Sequence, residues 1–237
     1  MITIDFNYIN IKSGYKILDI GCGEARHTAK SLDYDNIFCI GADISYTDLL
    51  ISRKKIKLHE KLKPNKLSMW SLVNTDIRNI CFKNKGFDIV ICSEVLEHIY
   101  EQEKALNEIT RILKPKGVLA LSVPRFWVEK ICWMLSNEYF NVNQGHIRIY
   151  KKKDLILKIE QNGFKLIKTH YNHSLHSFFW WLKCFIGPQK KDSVLVNLYH
   201  KFLVWDLMKK PFITKFLDKL LNPVFGKSLV LYFIKKG

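Results

Sequence analysis

Acidic residues, paired cysteines and long apolar runs are all scarce in this 237-residue sequence. Asp and Glu total 22 against 38 Lys and Arg, a net charge of +16, so a cationic partner is disfavoured and an anionic one, nucleic acid or lipid headgroups, is expected. The cysteines at 22, 39, 81, 92, 132 and 184 form no CxxC pair and fall mostly inside apolar, strand-like stretches. That argues against a disulfide framework or a zinc knuckle and suits the reduced thiols of a cytoplasmic protein. No segment approaches the ~20 uninterrupted apolar residues that a bilayer-crossing helix needs. The opening "MITIDFNYINIKSG" lacks the basic stretch and apolar run of a secretory signal.

What is present is a globular composition, 48% hydrophobic and 25% charged, with the basicity gathered at one end. Residues 146–237 hold 18 Lys and Arg but only 5 Asp and Glu. Heavy use of Lys, Ile and Asn throughout the chain is an alternative source of that excess.

Apolar, β-rich runs occur at residues 15–20, 37–43, 67–76, 87–94, 118–124, 164–171 and 228–236. Helix-period segments, "ARHTAKSL", "YTDLLISRKKIKLHEKL", "EKALNEITRIL" and "DLILKIEQNG", lie between them. In the third, Ala105, Leu106, Ile109, Ile112 and Leu113 share one face and "KPKG" stops the helix. Strands alternating with helices predict one α/β domain over 1–237, a doubly wound, mostly parallel sheet covered on both sides. Two stretches break the rhythm: 125–145, after the fifth strand, and 172–228, before the last.

"KILDIGCGEARHTAKSL" runs a buried strand into Gly21 and Gly23 and then into a helix. Glycines there let the backbone approach a ligand, and the helix would offer it N-terminal amides. A dinucleotide fingerprint would place a third glycine at 26, where Arg26 stands, which weakens a hydride-transfer reading.

"LDIGCGEARHT", "FDIVICSEVLEHI" and "RILKPKGVLALSVP", in this order and spacing, resemble the motifs of class I S-adenosylmethionine-dependent methyltransferases of the small UbiE/UbiG-like kind. The likeness is good over residues 11–123, loose to about 168, and absent over 172–228. Ala25 stands where that family usually has a third glycine. The resemblance implies a Rossmann-like, seven-stranded sheet with an antiparallel last strand and S-adenosyl-L-methionine as methyl donor. Gly21, Cys22 and Gly23 would pass close to its methionyl part, with Asp19 ordering the turn or receiving the ammonium through water. Asp43, with Ile44, would take the ribose, Asp76 and Ile77 the adenine, and Cys92 and Ser93 would sit under the sulfonium. For each acid alone, a helix cap or turn is the competing reading.

"SEVLEHI" sets Glu94 and His98 four residues apart with Glu97 beside them, and His146 follows in "NQGHIRIY". Two carboxylates and two imidazoles suit Mg, Mn or Zn better than a soft metal. The pattern resembles that of metal-assisted O-methyltransferases acting on vicinal hydroxyls, in polyprenyl catechols and at RNA 3′-terminal riboses. Two metal-free readings stand beside it: His98 or His146 as general base, or catalysis by positioning alone.

In 172–228, Phe212, Ile213, Phe216, Leu217, Leu220 and Leu221 fall on one helical face, with Lys215, Asp218 and Lys219 on the other. Such helices could form a lid with apolar faces on the domain core, or meet an anionic membrane surface peripherally. The expected activity is methyl transfer to an oxygen of a lipophilic small molecule or lipid precursor, in the cytoplasm or at the inner membrane face. The rivals are an RNA methyltransferase and a catalytically silent S-adenosylmethionine-binding module docked on membrane.

Overall fold

The computed structural model describes all residues except 65, 66, 140–145 and 191. The last six residues of the expected 125–145 insertion, and Lys191 within 172–228, therefore lie outside the described residues. The elements run β1 Lys16–Ile20, α1 Arg26–Ser31, β2 Phe38–Asp43, α2 Tyr46–Leu62, β3 Met69–Asn74, β4 Phe87–Ser93, α3 Gln102–Ile112 and β5 Leu113–Pro124. They continue with α4 Phe126–Leu135, α5 Lys152–Gln161, β6 Phe164–Asn172, α6 Ser174–Ile186, α7 Val194–Lys209, α8 Phe212–Phe225 and β7 Ser228–Lys235.

The seven strands form one sheet in the order β3-β2-β1-β4-β5-β7-β6. β1 to β5 pair in parallel, and β7 inserts antiparallel between β5 and β6. The pleat divides neighbouring residues between the two faces. Leu18, Ile20, Val90, Cys92, Leu119 and Leu121 pack on one side with α3. Ile17, Cys39, Ile89, Ile91 and Ala120 pack on the other with Ile56 of α2 and the N-terminal Ile4 and Phe6. Burial on both faces is why these strands read as continuous apolar runs.

α3 forms where its period places it. Ala105, Leu106, Ile109 and Ile112 are completely buried, Glu103 stands in the first turn and Arg111 in the last. Arg111 also donates to the carbonyls of Phe82 and Ile80, at 2.7 and 2.8 Å, closing the loop before β4.

The 172–228 stretch forms α6, α7 and α8. α6 packs on α4, where Trp181 Nε1 donates to the Val128 carbonyl at 3.1 Å. α8 is oriented against the usual rule. Three of its polar residues face the protein: Thr214 is buried, Asp218 Oδ1 accepts from Ser174 Oγ and the Leu175 amide, and Asn222 Oδ1 accepts from the Ser174 amide at 3.0 Å. Phe212, Ile213, Phe216, Leu217 and Leu220 are exposed, while Phe225 at its end packs on Trp127, Phe178 and Trp181. A lid with its apolar face on the core is thus not the arrangement of α8. No helix among the described residues is long and apolar enough to cross a membrane.

Candidate active site

A cleft of about 620 Å³ opens at the carboxyl ends of β1, β2 and β4, where a doubly wound sheet binds ligands. Gly21, Cys22, Gly23, Asp43, Ile44, Asp76, Ile77 and Ser93 line it, joined by Glu94 and His98. Gly21 has φ +69°, and a Cβ there would come within 2.3 Å of Val95 across the cleft. Ala25 adopts the left-handed conformation usual for glycine, φ 57°, with its methyl fully buried. The departure from glycine is therefore accommodated in space and costs only backbone strain.

Two expected cofactor residues do not reach the cleft. Cys92 is fully buried on the α3 side of the sheet, because the pleat sends it to the core and only Ser93, one residue on, emerges at the strand end. Asp19 is also buried; its Oδ2 accepts from the Thr28 amide and hydroxyl at 2.9 and 2.7 Å. It thus orders the turn from beneath, and it commits one of the early α1 amides that were expected to face a ligand. Burial raises the Asp19 pKa to about 6, against the lowering effect of those two bonds.

Asp43 ties the two loops together. Its Oδ2 accepts from the Gly23 amide at 2.7 Å and its Oδ1 from the Ser45 amide at 2.9 Å. Asp76 is paired with the Arg78 guanidinium, which holds its carboxyl below the usual range. Arg26, Asp48, Thr75, Val95 and Ile99 also line it, and sequence reasoning had assigned none of them a place in the site.

Glu97, His98 and His146 come together, each offering a ligand atom within 4.8 Å of the others. Local chemistry explains the meeting. Residues 96–98 form a 3-10 turn after β4, and the Ile147 amide donates to the Glu97 carbonyl at 3.0 Å. Tyr150 Oη reaches the Leu96 carbonyl and Gln102 Oε1. Glu94, the fourth candidate ligand, is not in the cluster. It has φ 57°, and its Oε1 accepts from Ser122 Oγ at 2.8 Å at the cleft edge. A glutamate held in that conformation is strained, as functional loops often are.

Glu97 is completely buried, and neither carboxylate oxygen has a hydrogen-bond partner among the described residues. Burial, then the charge of Glu94, pushes its pKa well above the carboxylate range. His146 Nδ1 is bonded to the buried Glu129 Oε1 of α4, which fixes the ring with Nε2 available to the cluster. Lys227, which precedes β7, lies over the Trp180 ring at 4.8 Å, and its charge acts on Glu97 and on the histidines 173 and 176. Ser122, Glu129 and Lys227 left no signal in the sequence, since each meets the site only through the tertiary fold.

The sheet order, the Gly21–Gly23 turn and the acids at the ends of β2 and β3 define a class I S-adenosylmethionine-dependent methyltransferase. Comparison with known proteins agrees. Residues 4–169 match the family model described as "Methyltransferase domain", and the chain belongs to that family. It is 33% identical over 168 residues to an uncharacterized protein of Methanocaldococcus jannaschii, covering 71% of this chain and 63% of that one. It is 30% identical over 162 residues to the demethylmenaquinone methyltransferase of Staphylococcus saprophyticus, covering 66% and 65%. The chain thus spans just under two thirds of the length of these two relatives. The phosphoethanolamine N-methyltransferase 2 of Haemonchus contortus, solved with S-adenosyl-L-methionine, shares the fold at a TM-score of 0.58 and 18% identity, covering 98% of this chain and 51% of that one.

Proposed function

We propose that this enzyme methylates an oxygen of a lipophilic small molecule or lipid precursor. The observation that carries the reading is the segment Glu94–His98. Its ends line the cleft, while Glu97 and His98 belong to the largely buried cluster with His146, so in this reading a cofactor in the cleft meets the acid-base groups at one place. In this reading the methionyl end of S-adenosylmethionine lies over Gly21–Gly23, the ribose at Asp43, and the adenine between Ile44 and Ile77 beside Asp76. The acceptor hydroxyl gives its proton to an imidazole, His98 or His146, as its oxygen takes the methyl group from sulfur, leaving S-adenosylhomocysteine.

The cluster also fits a divalent ion. A buried carboxylate without a partner is costly unless it is protonated or meets a cation, and one carboxylate with two imidazoles suits Mn or Zn, and Mg less well. Glu97, His98 and His146 would hold the ion and Glu129 would orient His146. Such an ion would lower the acceptor hydroxyl's pKa. Tyr139 packs edge-on to His146 and against Trp180, over which Lys227 lies, and this aromatic side of the cluster supports an acceptor that is mostly apolar with a polar end. A demethylmenaquinone methyltransferase among the relatives points the same way. We place the enzyme in the cytoplasm, in peripheral contact with the inner face of the membrane.

The test is methyl transfer from labelled S-adenosylmethionine to pooled lipid extract or to total RNA, with and without chelator. Label in a lipid fraction, released as methyl iodide by hydroiodic acid and not as methanol by mild alkali, supports the reading. Label in RNA favours the basic C-terminal region as an RNA surface. Tight cofactor binding with no transfer to either pool indicates a silent module, and an unchanged rate in chelator removes the metal.

A further inference from the structure

We propose that α8 and its turn with α7 dock on a bilayer surface carrying anionic headgroups. The proposal gives the lipophilic acceptor a route to the cleft and depends on the functional reading above for that route alone.

The observation is the inverted helix. α8 turns Thr214, Asp218 and Asn222 inward, and the last two hydrogen-bond the start of α6. Phe212, Ile213, Phe216 and Leu220 then face outward, 80%, 70%, 56% and 62% exposed. A helix held to its own protein by hydrogen bonds has its apolar side left for something else, because a single-sided apolar stripe gains nothing from water. α7 repeats the theme. Val196 and Leu203 bury one side against α6, while Leu198, Trp205 and Met208 remain exposed on another.

Charge selects the occupant. From Leu207 to Leu217 there is no acidic residue, and Lys209, Lys210 and Lys215 are all exposed. Lys209 and Lys210 stand at the turn, immediately between Met208 and Phe212. Aromatic and aliphatic side chains beside lysines on long stems match an interface where acyl chains lie under anionic headgroups. A second copy of this chain fits less well, since the same lysines would meet across a two-fold axis. None of these helices is long and apolar enough to cross, so the contact is with the surface.

The test is flotation of the full chain with phosphatidylcholine vesicles, with and without phosphatidylglycerol. The variants are Phe212→Ser/Phe216→Ser and Lys209→Gln/Lys210→Gln, with S-adenosylhomocysteine binding as the check that each is folded. The wild type is expected to float with the anionic vesicles and to release as salt rises. The phenylalanine pair should lose binding by at least about tenfold, and the lysine pair should lose its preference for phosphatidylglycerol. Both variants should bind S-adenosylhomocysteine as the wild type does. Absence of wild-type flotation, or equal flotation of the phenylalanine variant, overturns the proposal. So does a dimer in sedimentation that the phenylalanine variant abolishes, which would assign the face to a second copy. Methyl transfer to detergent-solubilised acceptor reads the functional assignment separately, and it can stand or fall without flotation changing.

Discussion

α3 and α8 are both amphipathic helices, of 11 and 14 residues, yet they sit on the protein in opposite senses. α3 puts Ala105, Leu106, Ile109 and Ile112 into the core and its charges outside. α8 puts Asp218 and Asn222 inside and Phe212 and Phe216 outside. Periodicity therefore identifies a helix and its two faces but does not say which face the protein keeps. That choice is made by the neighbour. α3 lies on the apolar sheet, whereas α8 meets the open amides at the start of α6, which need an acceptor more than they need a hydrophobic side chain.

The largest contrast is expected from truncating the two apolar faces. Ile109→Ala opens a cavity in the core and should cost about 2–5 kcal/mol in urea unfolding. Phe216→Ala removes an exposed ring and should stay within about 0.5 kcal/mol. Similar losses at the two positions would mean that α8 is packed like α3, and the comparison would fail.

A pH experiment sharpens the same distinction for a polar group held inside. His27 is buried, and its Nε2 accepts from the amides of Thr3 and Ile4 at 3.1 and 3.3 Å, a role only the neutral ring can fill. Burial, then the charges of Arg26 and the N-terminus, depresses its pKa to about 3. The unfolded chain takes up that proton near the ordinary value of 6.5, so the unfolded state binds more protons in between. Stability from His27 is complete above about pH 6.5 and is lost as pH falls from there toward 3. Denaturant midpoints at pH 7 and pH 5 should differ, and His27→Gln should flatten the difference attributable to this site.

Neither carboxylate oxygen of the buried Glu97 has a hydrogen-bond partner among the described residues, the inward counterpart of the exposed Phe212 and Phe216 on α8. Glu97→Gln, measured in chelator, should raise the melting temperature by a few degrees because a buried ionisable group is replaced by a neutral amide. The same change should lower methyl transfer strongly. A loss of both stability and activity would show that Glu97 is a structural acid and not a functional one.

The glycine turn and the strand-end acids of the cleft were legible because local sequence determines them. The turn at Gly21–Gly23, the acids Asp43 and Asp76 and the alternation of strands with helices follow from runs and glycines read in place, and the structure brings the turn and both acids to the cleft; the antiparallel last strand was expected only from the family resemblance. Cys92 was misplaced by a single step of the pleat, which a boundary uncertainty of one residue is enough to reverse. Glu129, Ser122 and Lys227 were not legible, since they stand 17, 28 and 130 residues from the groups they serve, His146, Glu94 and Glu97. The orientation of α8 belongs with these: its anchors join Ser174 to residues 44 and 48 positions further along.

The most local of the expected losses tests that anchor directly. Asp218 Oδ1 takes two donors, Ser174 Oγ and the Leu175 amide, and so caps a helix to which it does not belong. Losing a cap costs about 1 kcal/mol, and a carboxylate near a helix N-terminus adds a few tenths through the dipole. Asp218→Ala should therefore destabilise α6 and α8 locally by about 1–1.5 kcal/mol, with little change in β1 to β5. Hydrogen exchange resolves the two: faster exchange confined to residues 174–178 and 212–222 is expected, with exchange in α3 unchanged. Asp218→Asn, which keeps an acceptor oxygen but not the charge, should recover most of the protection. If Asp218→Ala leaves exchange in both helices unaltered, the inward polar face is not what holds α8, and its outward aromatics would need another cause.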